Sequence, residues 1–228
     1  MLFNAFRNGF TAEAFIQIGL YIVVIMFSLS FHELSHGYVA YRCGDATARN
    51  LGRLTLNPLS HLNPIGTVMM LVFGFGYATP VPVNPRNFNH YKRDLVFVSL
   101  AGPISNVILA FIGTLVFGIS SFFVPNNNPG NYFLIFISFF ISANAGLAVF
   151  NILPIPPLDG SRILSVFLPK KIAFYYLKYE RYIMIAVFIL LYIGVFDNVL
   201  VFLRYQLMNA LFDLSNLIIT PVAKMFIK

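Results

Sequence analysis

Charge is the scarce commodity in this sequence. Only 10% of its 228 residues are Asp, Glu, Lys or Arg, while 58% are hydrophobic; soluble domains carry about a quarter charged residues, so a soluble globular domain is excluded. Three tracts hold no Asp, Glu, Lys or Arg at all: Ala14 to Phe31, Leu54 to Pro85, and Leu95 to Leu158. Acidic residues are fewer than basic ones, and the net charge is +7. The basic residues fall in short connections between apolar tracts, as the positive-inside bias requires, so no basic patch interleaved with aromatics is left for RNA or DNA. The expected surroundings are a lipid bilayer, with no nucleic-acid partner. A lone cysteine, Cys43, excludes an internal disulfide and reads as a packing residue near a helix end. No cleavable signal is expected, because Arg7 is followed by Asn8 and Gly9 and the apolar run starts late. No internal repeat or low-complexity linker divides the chain, which reads as a single domain over 1–228, with a core at 14–160 and additional C-terminal helices at 180–220.

What is present organises as an all-α multi-pass membrane protein. A first helix from Ala14 to Arg42 is long enough to span about 30 Å of hydrocarbon. The next apolar tract is broken by Pro58, Pro64, Gly66, Gly74, Gly76, Pro80, Pro82 and Pro85. It predicts a re-entrant or extended segment near 65–90, with a short helix around Ile65 to Phe73 and extended chain from Tyr77 to Val83. Irregular backbone at membrane depth is tolerated where it lines a cavity, so this segment is expected at the functional site. The longest charge-free tract fits two spans, Asp94 to Ser120 and Tyr132 to Leu153, joined by an Asn- and Pro-rich turn at Pro125 to Asn131. Further spans near Tyr182 to Phe196 and Val199 to Ile219 bring the expectation to about five.

The chemistry sits at the end of the first charge-free tract, in His32-Glu33-Leu34-Ser35-His36. Residues four apart share a helix face, so His32 and His36 can offer ring nitrogens to one Zn²⁺ while Glu33 lies beside them as a general base. An ionisable residue inside a membrane segment is costly and marks function by default. A catalytic zinc takes three protein ligands, so a third donor is needed. Asp159 is the first carboxylate after the longest charge-free tract. Taken alone it reads as an N-cap before Gly160-Ser161-Arg162; the missing third ligand turns the preference towards metal binding. Asp94, Asp197 and Asp213 read as solvated helix ends, His90 as an interface residue, and His61 as a loop histidine fixing backbone carbonyls. Asn106 and Asn144 predict interhelical hydrogen bonds, and Gly102 and Gly146 close helix packing.

Basic residues mark one side of the membrane. Arg42, Arg49, Arg53, Arg86, Lys92, Arg93 and the Arg162 to Arg181 cluster are assigned to the cytoplasm, and the uncharged Asn-rich turn to the outside. His36 then lies about 9 Å along the helix from Arg42, so the metal is expected inside a cell membrane (inner or cytoplasmic) near its cytosolic side.

These motifs together resemble the site-2 protease family of intramembrane zinc metalloproteases, in its compact prokaryotic branch, over nearly the whole chain. The likeness is carried by Phe31 to Gly37, by Leu56-Asn57-Pro58-Leu59-Ser60-His61 leading to Pro64-Ile65-Gly66-Thr67, and by Pro80 to Pro85. Ala101-Gly102-Pro103 with Asn106, and Asn151 through Gly160, complete it. The resemblance implies one zinc ion on His32, His36 and Asp159, Glu33 as general base, and Asn151 as a polar group near the scissile carbonyl. It also implies an edge strand around Tyr77 to Val83 that holds substrate. Asn63 and Thr79 depart from the family, standing where many relatives have Asp and Lys. No PDZ-like or CBS-like module is expected in this length, which leaves regulation to a membrane partner. The implied activity is zinc-assisted hydrolysis of peptide bonds in or near transmembrane helices of single-pass or other membrane proteins. The alternatives from other classes are a zinc transporter, which needs ligands along a permeation path, and a non-proteolytic membrane scaffold.

Overall fold

The computed structural model describes residues 11–61, 63, 66, 79–125 and 128–226. All regular structure among them is helical. Helix α1 (Ala12–Arg42) opens on Thr11, whose hydroxyl accepts from the Ala14 N–H at 3.2 Å, with Glu13 in its positively polarised first turn. A short α2 (Thr47–Asn50) and two 3₁₀ turns (Pro58–Ser60 and Pro85–Asn87) lead to α3 (Tyr91–Phe123). Helix α4 (Asn128–Asn151) returns across the bundle. Then come α5 (Asp159–Phe167), α6 (Lys170–Lys178), α7 (Glu180–Tyr192) and α8 (Asp197–Phe226).

Long-range contacts set the helix directions. Ser28 and Asn144 meet, as do Tyr21 and Phe139, so α1 and α4 run the same way. His36 meets Val98 while His32 meets Asn106, so α3 runs against them. Between helices in lipid there is little hydrophobic gain, and close approach by small residues takes over. Ala110 of α3, Ala145 of α4 and Leu211 of α8 form one buried cluster of this kind. Phe117 and Phe212 add an edge-to-face contact at 6.2 Å.

Among the described residues three helices are long and apolar enough to cross a membrane, and a fourth crossing exists if α7 and α8 count as one span bent by 85°. This is the expected all-α multi-pass architecture. Helix α7 has 13 residues; at 1.5 Å per residue it is about 20 Å long, short of the ~30 Å of hydrocarbon. It is anchored instead at its start, where Arg162 Nη2 lies 3.1 Å from both Glu180 carboxylate oxygens. The expected helix at Ile65 to Phe73 lies outside the described residues, as do Tyr77 and Ala78 of the expected strand. From Thr79 to Asn84 the chain belongs to no helix or strand. Helix α4 begins at Asn128, inside the stretch expected as the Asn-rich turn.

Asp94 is a correction. It is fully buried rather than solvated. Its carboxylate accepts from the His90 N–H at 2.7 Å and pairs with Arg93 Nε at 2.8 Å, so it closes the N-terminus of α3. Cys43 packs, as expected, in a buried cluster with Ala40, Phe88, Leu95 and Val98. Asp197 and Asp213 are exposed.

The connection between α1 and α3 is tied to the bundle by Asp45, which is fully buried. Its carboxylate accepts from the Asn84 N–H and the Asn87 side-chain amide, each at 2.7 Å, and from the Thr47 N–H and hydroxyl. Burial alone would push this carboxyl up, but the hydrogen bonds from Thr47, Asn84 and Asn87 outweigh it and hold its pKa below the ordinary 3.8. A folded-state pKa lower than the unfolded one stabilises above the unfolded value, and the contribution is lost as pH falls from there through the folded value. Asp45→Ala should therefore lower the thermal midpoint in detergent, at about 1–3 kcal/mol for each buried donor left unpaired. The gap between native chain and variant should hold steady from neutral pH to about pH 5 and close below about pH 4. A gap independent of pH through that range would show that the carboxylate charge is not what binds the segment.

Candidate metal centre

Three residues on α1 and one at the start of α5 bring the chemistry-bearing groups together. His32 and His36 project from one face of α1 and are both buried, with Nε2 atoms 3.0 Å apart. Asp159 Oδ2 lies 3.2 Å from the first and 3.3 Å from the second. Among the described residues these three form the group of His, Cys, Asp or Glu side chains able to hold a metal ion. Asp159 is the first residue of α5, not its cap; Leu158 occupies the cap position without any side-chain hydrogen bond. The side chain is thus free to face the histidines. Gly160 lets this happen, because a Cβ there would stand 2.1 Å from the Ile152 carbonyl oxygen at the end of α4.

Hydrogen-bond accounting decides what the three atoms can be. His36 Nδ1 lies 2.7 Å from the Val98 carbonyl, which can only accept, so that nitrogen carries the proton. His32 Nδ1 lies 2.6 Å from Asn106 Oδ1, also an acceptor. In neutral imidazoles both Nε2 atoms then present bare lone pairs to each other. Asp159 Oδ2 is buried and receives no donor either. In that tautomer three electron pairs converge on one point, where a cation joins them at least cost. Their spacing fits zinc: bonds of about 2.0–2.1 Å at tetrahedral angles separate neighbouring ligand atoms by about 3.3 Å. Donor partners on both Nδ1 atoms are the arrangement that orients metal-binding histidines.

The wall opposite the histidines is Gly102. A Cβ built there would lie 2.4 Å from His32 Cε1 and from His36 Nε2. Gly102 permits close helix packing, as expected, and what packs against it are the imidazoles of α1. Pro103, next along, has no N–H for the Ser99 carbonyl, so α3 is under-bonded in the turn whose Val98 carbonyl serves His36. Gly146 faces open space, with only Arg204 Cδ within 4 Å, at 3.9 Å.

Glu33 is half-buried on α1. Its Oε2 accepts a 2.8 Å hydrogen bond from the backbone N–H of Val81. The chain from Thr79 to Asn84 therefore runs past the carboxylate, pinned at one end by the Thr79 N–H on the His61 carbonyl at 2.7 Å and by Arg53 on the Thr79 carbonyl at 3.2 Å. At the other end it is held by Asp45. His61 is buried and fixes the Thr55 carbonyl at 2.9 Å, the role expected of it. Asn63 accepts from the Gly66 N–H at 3.0 Å. Asn151 turns back on its own helix, donating to the Leu147 carbonyl at 3.0 Å. His90 is exposed at the cap of α3.

Known proteins similar to this chain belong to one group. A model of peptidase family M50 matches residues 118–194, which include Asp159. YwhC of Bacillus subtilis, a candidate zinc metalloprotease by name, is 45% identical over 154 residues, covering 65% of this chain and 68% of YwhC. The chain belongs to peptidase family M50, the site-2 protease family. Rip2 of Mycobacterium tuberculosis is 32% identical over 173 residues, 71% of this chain and 63% of Rip2. MJ0392 of Methanocaldococcus jannaschii, named as a zinc metalloprotease, is 30% identical over 149 residues, 65% of this chain and 34% of that protein. The chain thus spans about a third to two thirds of these M50 relatives' lengths. No solved structure matches it.

Two positions of this M50 site have no sequence signal of their own. The Val98 carbonyl is invisible because any residue supplies one, and Gly102 looks like any other glycine in a membrane helix. Asn106 did carry a signal, as a polar residue in a charge-free tract, but its partner could not be read from it. Gly102→Ala should abolish zinc retention by atomic emission on purified protein, since the new methyl would overlap both imidazoles. Gly146→Ala, whose methyl meets only Arg204 Cδ at an ordinary contact distance of 3.9 Å, should retain the native stoichiometry. Full zinc in Gly102→Ala would place the metal elsewhere.

Proposed function

We propose that this membrane-embedded M50 peptidase hydrolyses peptide bonds in or near the transmembrane helices of other membrane proteins, with zinc held by His32, His36 and Asp159. The observation that carries the reading is the convergence of those three ligand atoms beside Glu33, at the ends of helices apolar enough to lie in a bilayer. A zinc ion held by these residues would supply a Lewis acid able to acidify a water molecule and polarise the scissile carbonyl. Glu33 has one oxygen engaged by Val81, leaving the other to take the water proton and deliver it to the leaving amine. One amide hydrogen of Asn151 is committed to Leu147, and the second remains for the developing oxyanion. The basic residues near the ends of α1, α3 and α4 support a cytosolic position for the site within a cytoplasmic membrane.

The extended chain at Thr79–Asn84 supports a way to receive substrate. Carbonyls of a transmembrane helix are bonded four residues on and shielded by side chains, so a helix must open before Glu33 can act on it. The freed backbone groups need partners in a medium with little water. Strand addition along the pinned segment supplies them with loose sequence preference.

Two outcomes test this function. Glu33→Gln should keep zinc and lose cleavage of a co-expressed single-pass membrane substrate by at least about 100-fold, because an amide preserves size but cannot act as a base. Cleavage near the native rate would remove Glu33 from the chemistry. Within an identified substrate, replacing Gly, Pro, Asn or Ser in the cytosolic half of its membrane helix by Leu should slow cleavage strongly, since those residues ease departure from the helix. Equal cleavage of an uninterrupted poly-Leu helix would show that helix opening does not limit the reaction.

A further inference from the structure

We infer that Asn144, on α4, is a positioning residue that acts through Asn106 to hold His32 in the one tautomer able to bind metal. The two histidines are oriented by different means. His36 is served by a backbone carbonyl, which cannot turn round. His32 is served by the side-chain amide of Asn106, which rotated by half a turn would present an N–H to Nδ1. The proton of His32 would then move to Nε2, and the lone pair needed for the metal would be gone.

Asn144 removes that freedom. Its Nδ2 donates to the Phe140 carbonyl at 2.8 Å and to Ser28 Oγ at 2.9 Å. The Phe140 carbonyl can only accept, so the Asn144 amide has one orientation and its Oδ1 must face Asn106. That oxygen accepts from Asn106 Nδ2 at 2.8 Å. With Nδ2 committed, and lying also 3.5 Å from the Ser28 carbonyl, Asn106 has only Oδ1 left for His32. Ser28, Asn106 and Asn144 are all fully buried. No solvent can compensate a mispaired amide there, so the penalty for flipping either one falls on the whole chain of bonds. The relay begins at a backbone carbonyl of α4, crosses α3 and ends on α1. The helix that leads to Asp159 thereby also sets the proton on His32.

This inference rests on His32 being a zinc ligand, and the test separates the two claims. Full-length protein in detergent is titrated with zinc against a competing chelator, and the histidine tautomers of the metal-free protein are read from ¹⁵N shifts of its four His residues. Asn144→Leu keeps size but removes the acceptor for Asn106; zinc affinity should fall by about 10- to 100-fold, the effect typical of groups behind a metal ligand. His32 should then show a mixture of tautomers. Asn144→Asp, neutral at a buried position, keeps an acceptor for Asn106 and a donor for Phe140 or Ser28, and should restore both affinity and the Nδ1–H tautomer. Native affinity in Asn144→Leu, or an equal loss in Asn144→Asp, overturns the relay. So does an Nε2–H tautomer of His32 in the metal-free native chain, whether or not any variant folds. A native chain that takes no zinc while His32 keeps its Nδ1–H signal overturns the ligand assignment and leaves the relay standing.

Discussion

Two imidazole nitrogens and a carboxylate oxygen lie 3.0 to 3.3 Å apart, and much of the structure exists to keep them so. Left alone, such an arrangement repels itself, and a proton would settle on one of the nitrogens. On the far side of each ring the Val98 carbonyl and the Asn106 oxygen claim the Nδ1 hydrogens, which leaves the Nε2 atoms as the positions able to bind a cation. The cost of concentrating lone pairs is offset only when a cation joins them. Gly102 keeps the space open, and Gly160 lets α5 come close enough for Asp159 to enter it.

Lipid as solvent explains why polar bonds carry so much of this architecture. Helices gain little by hiding apolar surface from hydrocarbon, so their register is set by small residues and by hydrogen bonds that have no aqueous competitor. Ser28, Asn106 and Asn144 do for α1, α3 and α4 what a large apolar core does for a soluble domain. The same logic governs the irregular chain before α3. Its backbone is bonded by His61, Arg53, Glu33 and Asp45. Unpaired, those groups would be costly at this depth.

Glu33 joins these two regions. It stands one residue from His32 on a rigid helix, yet its Oε2 is held by the Val81 N–H of the pinned segment. Movement of that segment therefore reaches the carboxylate directly. Asp45, at the other end, is the reason the segment has a fixed place to stand.

Period and composition were enough to announce a membrane protein, to place His32 and His36 on one helix face, and to mark Asp159 as the carboxylate worth watching. Those features depend on local spacing and on the expense of charge in lipid, both of which a linear sequence carries. The bend after α7 is not legible in the sequence, because an apolar stretch of 13 residues looks like part of a span until the 85° turn separates it from α8. Asp94 was misjudged for a related reason: proximity to a helix end suggests water, whereas the folded chain closes over it. Only the tertiary structure decided which face Gly102 shows, which carbonyl His36 finds, and that two asparagines on different helices speak to one histidine. Hydrogen-bond partners 38 to 116 residues apart in the chain leave no periodic trace in it. They come into being when the helices pack.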